Sequence, residues 1–218
     1  MKKILFPAWI CLVVIFVSCA AAPKVREAPQ ETVSQELSPF SAVPERPVRP
    51  QVPAYIMGTG LIPPRDMSAF LLSNNPNADR GFVEELAFLY FEEAAIEGVN
   101  HDIAFTQMCL ETGFLSFGNL VTPDMYNFAG LGSIGPGQHG HSFPDPRTGV
   151  RAHVQHLKAY GSDEPLKQEL VNPRYRFVRR GSSPTIMGLA GTWAADPNYA
   201  EKINNMLERL YNFTYGII

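Results

Sequence analysis

Glu111 is the residue whose type and setting could do the most chemistry. From Ile103 to Leu110 no charged side chain precedes it. A helix is expected to begin after Asn100, a plausible N-cap, and to end at Gly113, a plausible C′ residue. Glu111 then falls in the last turn, where partial negative charge from the free carbonyls disfavours a carboxylate. Phe114 and Phe117 lie close in sequence and would desolvate it further. Both effects raise a carboxyl pKa. A carboxyl that stays protonated near neutral pH is what a glycosidase general acid requires. A surface glutamate at a frayed helix end fits the same local residues, so this reading alone leaves both open.

The elements that would position Glu111 are mostly helical. Between Gly81 and Glu97, Phe82, Leu86, Leu89, Tyr90 and Ala94 recur at three- and four-residue spacing, which predicts a helix. A further helix is expected over about 148–160, a short one after Ser183, and a last one from the Asp196-Pro197 pair to about Tyr211. Between Phe117 and Pro146 glycine and proline are frequent and no helical period appears; this stretch reads as loops, with room for a short β-hairpin. Tyr90, Phe91, Phe105 and Met108 sit at helical spacings and read as core. Cys109, two residues before Glu111, points to another side of the helix and reads as a small buried residue.

Four blocks in order then carry a family resemblance. Met108 to Gly118, MCLETGFLSFG, resembles the catalytic-helix motif of the bacterial glucosaminidase domain, family 73 of the glycoside hydrolases. Tyr126 to Gly132, YNFAGLG, is similar to its Asn-x-Phe-x-Gly-type loop. Gly149 to Tyr160, GVRAHVQHLKAY, resembles the helix after its central loop. Gly191 to Ile203, GTWAADPNYAEKI, resembles its C-terminal segment. The resemblance is taken to cover about 67–210, and four blocks in order are more specific than any one. The resemblance implies a mainly α, lysozyme-like helical domain with a loop-rich central insertion. It implies cleavage of the β-1,4 bond after N-acetylglucosamine in peptidoglycan, with Glu111 as general acid. It also implies that Tyr126, Asn127 and Phe128 shape the cleft, that Tyr199 lies near the reacting sugar, and that Trp193 is a sugar platform or a helix anchor.

The chain departs from that pattern at the second carboxylate. Where several family members have an acid shortly before the GVRAH-like helix, this sequence has Arg147. Asp145 is the nearest acid and the candidate base; Asp124 is a poorer one. The substrate's own 2-acetamido oxygen could instead act as nucleophile, with no second protein carboxylate needed. A weakened or lost activity is the third outcome. His139, His141, His153 and His156 could be read as metal ligands, but His153 and His156 fall three apart on a helix that resembles a metal-free one. No metal and no cofactor is expected. The basic run Arg174 to Arg180, RYRFVRR, could contact acidic wall polymers or peptide stems, and reads more simply as a solvated loop with two apolar anchors.

The N-terminus reads as an address. Lys2 and Lys3 precede an apolar run from Ile4 to Val17, shorter than the roughly 20 residues a spanning helix needs and suited to a signal peptide. The run ends Val17-Ser18-Cys19, similar to a bacterial lipobox, so 1–18 is expected to be removed and Cys19 lipidated. Residues 19–54 hold many of the prolines and few aromatics, and read as a disordered tether. The globular domain is expected over 55–218. The chain has 218 residues, with 45% hydrophobic and 18% charged, enough for one packed core. A net charge of -3 argues against nucleic-acid binding by phosphate neutralisation, and three cysteines are too few for a disulfide framework. Expected partners are peptidoglycan strands and, through Cys19, a bacterial membrane, on its periplasmic or cell-surface face; the chain is expected to be a monomer. The competing readings are a non-catalytic wall-binding lipoprotein and a lytic transglycosylase.

Overall fold

Asn100 and Gly113 define the helix on which the structure is built. In this computed structural model, which describes residues 48–216 apart from positions 119, 134, 136 and 138, the Asn100 side chain accepts hydrogen bonds from the backbone N–H groups of Asp102 and Ile103 at 3.0 and 3.3 Å. That satisfies two donors that a helix start leaves free. At the other end Gly113 adopts a left-handed conformation and its N–H returns to the last turn. The expected signal peptide, Cys19 and most of the tether lie outside the described residues.

Among the described residues, five α-helices and three single 3₁₀ turns follow in order. They are α1 (Pro64–Asn74), α2 (Arg80–Glu97), α3 (His101–Thr112), 3₁₀ Pro123–Met125, α4 (Pro146–Gly161), 3₁₀ Tyr175–Phe177, 3₁₀ Ile186–Leu189 and α5 (Tyr199–Tyr215). The fold is mainly α. The described residues contain only isolated β-bridges, so the loop-rich middle forms no hairpin strands among them. From His101 to Cys109 every residue of α3 is buried, because α2, α4 and α5 all pack around it. A helix covered on every side need not be amphipathic, which is why α3 shows so weak a period in sequence.

Two helices differ from expectation. The periodicity missed α1, whose start is marked by Pro63 and Pro64 without any side-chain cap; burial of Met67, Phe70 and Leu71 holds it. The Asp196-Pro197 pair does not begin α5. Asp196 forms a turn, accepting from Asn198 N at 2.9 Å and pairing with Lys202 at 2.6 Å, and the helix starts at Tyr199. Near the start of the described residues, Arg49 pairs with Glu208 and stacks over the Tyr211 ring.

Buried charges tie the helices together. Lys158 on α4 and Glu97 on α2 form a fully buried pair at 2.8 Å. Glu97 also accepts the backbone N–H groups of Lys167 and Gln168 at 2.9 and 3.1 Å, fixing the segment after α4. Glu93, buried on α2, meets Arg147 and Arg151 of α4. Burial would raise the Glu93 pKa, but hydrogen bonds from Arg151, Gln168 and Arg147 outweigh it and hold the group ionised. Arg147, which stands where the family resemblance leads one to expect an acid, therefore serves as an α2–α4 tie. One close approach sets the central loop on α4: a Cβ at Gly149 would lie 1.9 Å from the Tyr126 carbonyl oxygen.

Removing one member of a buried ion pair leaves an uncompensated charge. Lys158→Met should lower unfolding stability by about 3–5 kcal/mol in urea titration. A loss below about 1 kcal/mol would show that Glu97 is satisfied by its two backbone donors alone.

Candidate active site

Glu111 lies in the last turn of α3 and lines an open cleft with a volume of about 550 Å³. The segment that follows is held in an uncommon shape. Phe114, Leu115 and Phe117 all have positive φ, at 56°, 62° and 50°, a conformation costly for residues with side chains. Hydrogen bonds and packing offset that cost. Asn75 donates to the Phe114 carbonyl at 2.8 Å, Thr112 Oγ1 accepts from Leu115 N at 2.9 Å, and the Phe114 ring meets Phe70 edge-on at 5.7 Å. The chain thereby turns sharply away after Glu111 and leaves its carboxyl facing the cleft.

The two carboxyl oxygens have different surroundings. Oε1 accepts from the Tyr199 hydroxyl and from Trp193 Nε1, the latter at 3.1 Å. Oε2 faces Gly130, where an added Cβ would lie 4.0 Å away. Water reaches the carboxyl through the cleft, yet protein packs closely on its other sides. Burial pushes its pKa above the ordinary glutamate value, against the smaller opposing effect of the Tyr199 and Trp193 hydrogen bonds. Burial and then the Glu111 charge push the Tyr199 hydroxyl far up, so it remains a donor.

Behind Tyr199 runs a buried hydrogen-bonded chain. Gln107 Nε2 donates to the Tyr199 oxygen at 2.8 Å. Gln107 Oε1 meets His153 Nε2 at 2.9 Å, and His153 Nδ1 meets the Tyr90 hydroxyl at 2.8 Å. Burial, then His156, holds the His153 pKa down at about 3, so the ring is neutral. Because Tyr199 gives its proton to Glu111, it accepts from Gln107. The Gln107 carbonyl must then accept from His153 Nε2–H, and Nδ1 accepts from Tyr90. Every hydrogen bond in the chain points toward Glu111. Sequence reading places none of Gln107, Tyr90 and His153 in a hydrogen-bonded chain to Glu111, because these partners lie far apart along the chain.

The other expected site residues divide. Trp193 and Tyr199 reach Glu111 directly, and Trp193 forms an aromatic wall with His156 at 4.9 Å and Tyr160 at 5.7 Å. Asn127 lines the cleft but is buried. Its amide donates to the carbonyls of Leu131 and His141 at 3.0 and 2.8 Å, and its oxygen accepts from Leu131 N at 2.9 Å; it laces the loop that faces Oε2. Phe128 is buried in the core beside Phe82 rather than in the cleft, and Tyr126, with φ 48°, turns the chain toward Asn127. Asp145 is exposed and caps α4, accepting from Thr148 N at 2.9 Å and Thr148 Oγ1 at 2.7 Å. Those bonds hold its pKa below the usual range. Neither Asp145 nor Asp124 lines the cleft, where Glu111 is the only acid among the described residues. The four positions between 48 and 216 outside the described residues are Asn, Ile, Pro and Gln, none acidic. His156 bonds the Asn172 side chain at 2.9 Å, and burial followed by Arg174 holds its pKa at about 4. Among the described residues no three His, Cys, Asp or Glu side chains group as metal ligands. Cys109 is buried and its thiol is pushed up by burial, so it is not a nucleophile.

Residues 87–212 match the model of the glucosaminidase family, described as mannosyl-glycoprotein endo-beta-N-acetylglucosaminidase. An uncharacterized protein of Borreliella burgdorferi is 40% identical over 159 residues, covering 73% of this chain and 78% of that protein. The catalytic domain of the autolysin Auto from Listeria monocytogenes is similar with a TM-score of 0.43 and 14% identity, over 71% of this chain and 90% of that one. The family match takes in α3 with Glu111, the central loop, α4 and most of α5: the chain belongs to the glucosaminidase family.

Proposed function

We propose that the protein is a glycoside hydrolase that cuts the β-1,4 bond after N-acetylglucosamine in peptidoglycan strands, with Glu111 as general acid. The observation that carries this reading is the one carboxyl in the described cleft lining, its pKa raised by burial and its position fixed through one oxygen. Oε1 is held by Tyr199 and Trp193, so Oε2 is the oxygen that gives its proton to the leaving sugar. With no second acid in the described cleft lining, the 2-acetamido oxygen of the substrate attacks C1 as the C1–O bond breaks. Water then opens the cyclic intermediate, and the Glu111 carboxylate takes its proton. This route retains configuration at C1. The same reading places the enzyme on a bacterial membrane, tethered by lipid on Cys19 and reaching the wall through residues 19–54.

Glu111→Gln should reduce turnover of purified peptidoglycan by about 10²–10⁴-fold. Asp145→Asn should stay within about threefold, once any loss of stability at the α4 cap is allowed for. Products reduced with borohydride should carry new N-acetylglucosamine ends by mass spectrometry. Anhydromuramic ends would assign the cleft to a lytic transglycosylase, and an Asp145→Asn loss as deep as that of Glu111→Gln would restore Asp145 as the base.

Tyr199→Phe removes a donor that lowers the Glu111 pKa. The carboxyl should then hold its proton to higher pH, and the alkaline limb of the kcat/KM profile should move up, while kcat falls about tenfold as the acid loses its orientation. His153→Phe frees the Gln107 amide to flip and turn the Tyr199 proton away, so it should move the same limb in the same direction. A limb moving down in either variant contradicts the assignment. Separately, Cys19→Ala should abolish incorporation of labelled palmitate and release the chain from membranes; unchanged labelling would rule out lipidation there.

A further inference from the structure

Apart from Arg209, which bonds the Asn74 side chain on α1, the described arginines of this domain fall into two groups. Arg49, Arg65, Arg80, Arg147 and Arg151 each pair with a carboxylate. Arg174, Arg176, Arg179 and Arg180 lie within one short segment, and among the described residues none has an acidic partner. Like charges held this close repel one another, and an arriving anion would relieve that.

The segment is built rather than loose. Asn172 accepts from Arg174 N at 2.8 Å, while its amide bonds His156 on the cleft wall at 2.9 Å. That turn leads into the 3₁₀ turn Tyr175–Phe177. The Phe177 ring is 60% exposed and is flanked by two guanidinium groups, Arg174 at 4.7 Å and Arg176 at 4.8 Å. Stacking of this kind reduces the freedom of both side chains and leaves their N–H donors for planar acceptors such as carboxylates. Arg180 lies over Tyr175 at 5.9 Å. Arg174 also lines the cleft that holds Glu111, and it is the only Lys or Arg among the described lining residues.

A β-1,4 glycan of N-acetylated sugars has no charge for such a residue to meet. The strands of peptidoglycan differ, because alternate sugars carry a peptide stem with free carboxylates. We propose that Arg174, supported by Arg176, binds the acidic peptide stem of the strand being cut, so that the enzyme's substrate is stem-bearing glycan rather than bare glycan. This inference rests on the hydrolase reading above and specifies which form of its substrate the cleft selects. Charge complementarity at a solvent-facing edge acts on the encounter and on KM, and it weakens as salt screens it.

The test compares two substrates: purified peptidoglycan with its stems intact, and the same material stripped of stems by an amidase, which leaves one lactyl carboxylate on each muramic acid and removes the further carboxylates of the stem. Initial rates of new reducing N-acetylglucosamine ends are measured with the full chain in detergent. The unaltered chain should favour the stem-bearing material by about tenfold in kcat/KM, mostly through KM, and 0.5 M salt should narrow that ratio. Arg174→Gln should bring the ratio near one, and Arg176→Gln, on an exposed side chain, should narrow it part of the way. Equal cleavage of the two substrates by the unaltered chain would overturn the proposal. So would an Arg174→Gln variant that slows both substrates and keeps the ratio. Cleavage of neither substrate by the unaltered chain would instead overturn the hydrolase reading, and the stem inference with it.

Discussion

Glu111 has to hold a proton near neutral pH and still reach a substrate that arrives through water, and those demands conflict. Full exposure would let the carboxyl ionise at the ordinary glutamate pKa. Full burial would keep it neutral but out of reach. The structure answers by placing it at the last turn of a helix buried along most of its length, so that protein covers its back and the cleft opens its front. Much of the remaining architecture follows from this placement. α3 needs neighbours on every side, which α2, α4 and α5 supply. The chain must leave α3 abruptly, and the positive φ angles after Gly113 accomplish that.

Orientation is a separate matter from desolvation, and it comes from a different part of the chain. α5 brings Tyr199 and the preceding turn brings Trp193, both to the same oxygen of Glu111. Behind them Gln107, His153 and Tyr90 form a chain whose donors all point one way. An amide such as Gln107 can flip by rotation, so its direction is set only by a neighbour whose own proton is fixed. Neutral His153, anchored by Tyr90, is that neighbour. The same helix α4 that carries His153 also carries Arg147, Arg151 and Lys158, whose ion pairs with Glu93 and Glu97 lock it to α2. The charges that hold the fold and the dipoles that aim the acid thus share one helix.

What could be read from sequence was local. Asn100 and Gly113 mark the ends of α3, and the uncharged approach to Glu111 signals its desolvation, because caps and burial patterns are written in neighbouring residues. α1 escaped notice because its start carries prolines but no capping side chain. Asp196 looked like a helix cap and is a turn with its own lysine. Asp145 looked like a candidate base and is itself the cap of α4; a short acidic side chain before a helix serves either role, and only its position relative to the cleft separates them. Phe128 belongs to a block that resembles a cleft loop, yet its apolar ring packs inward. Gln107, His153 and Tyr90 meet across three helices, and no short window of sequence contains that meeting.

The account stands on the ionisation of one group, so the most direct test observes that group without turnover. With glutamate carboxyl carbons labelled by ¹³C, the resonance missing from Glu111→Gln identifies Glu111, and its chemical shift is followed against pH by NMR. The account predicts a midpoint clearly above that of the exposed glutamates in the same spectrum, and one that rises further in Tyr199→Phe. A midpoint at or below the ordinary glutamate range would contradict it, and would mean that the hydrogen bonds from Tyr199 and Trp193 outweigh burial and hold Glu111 as an anion.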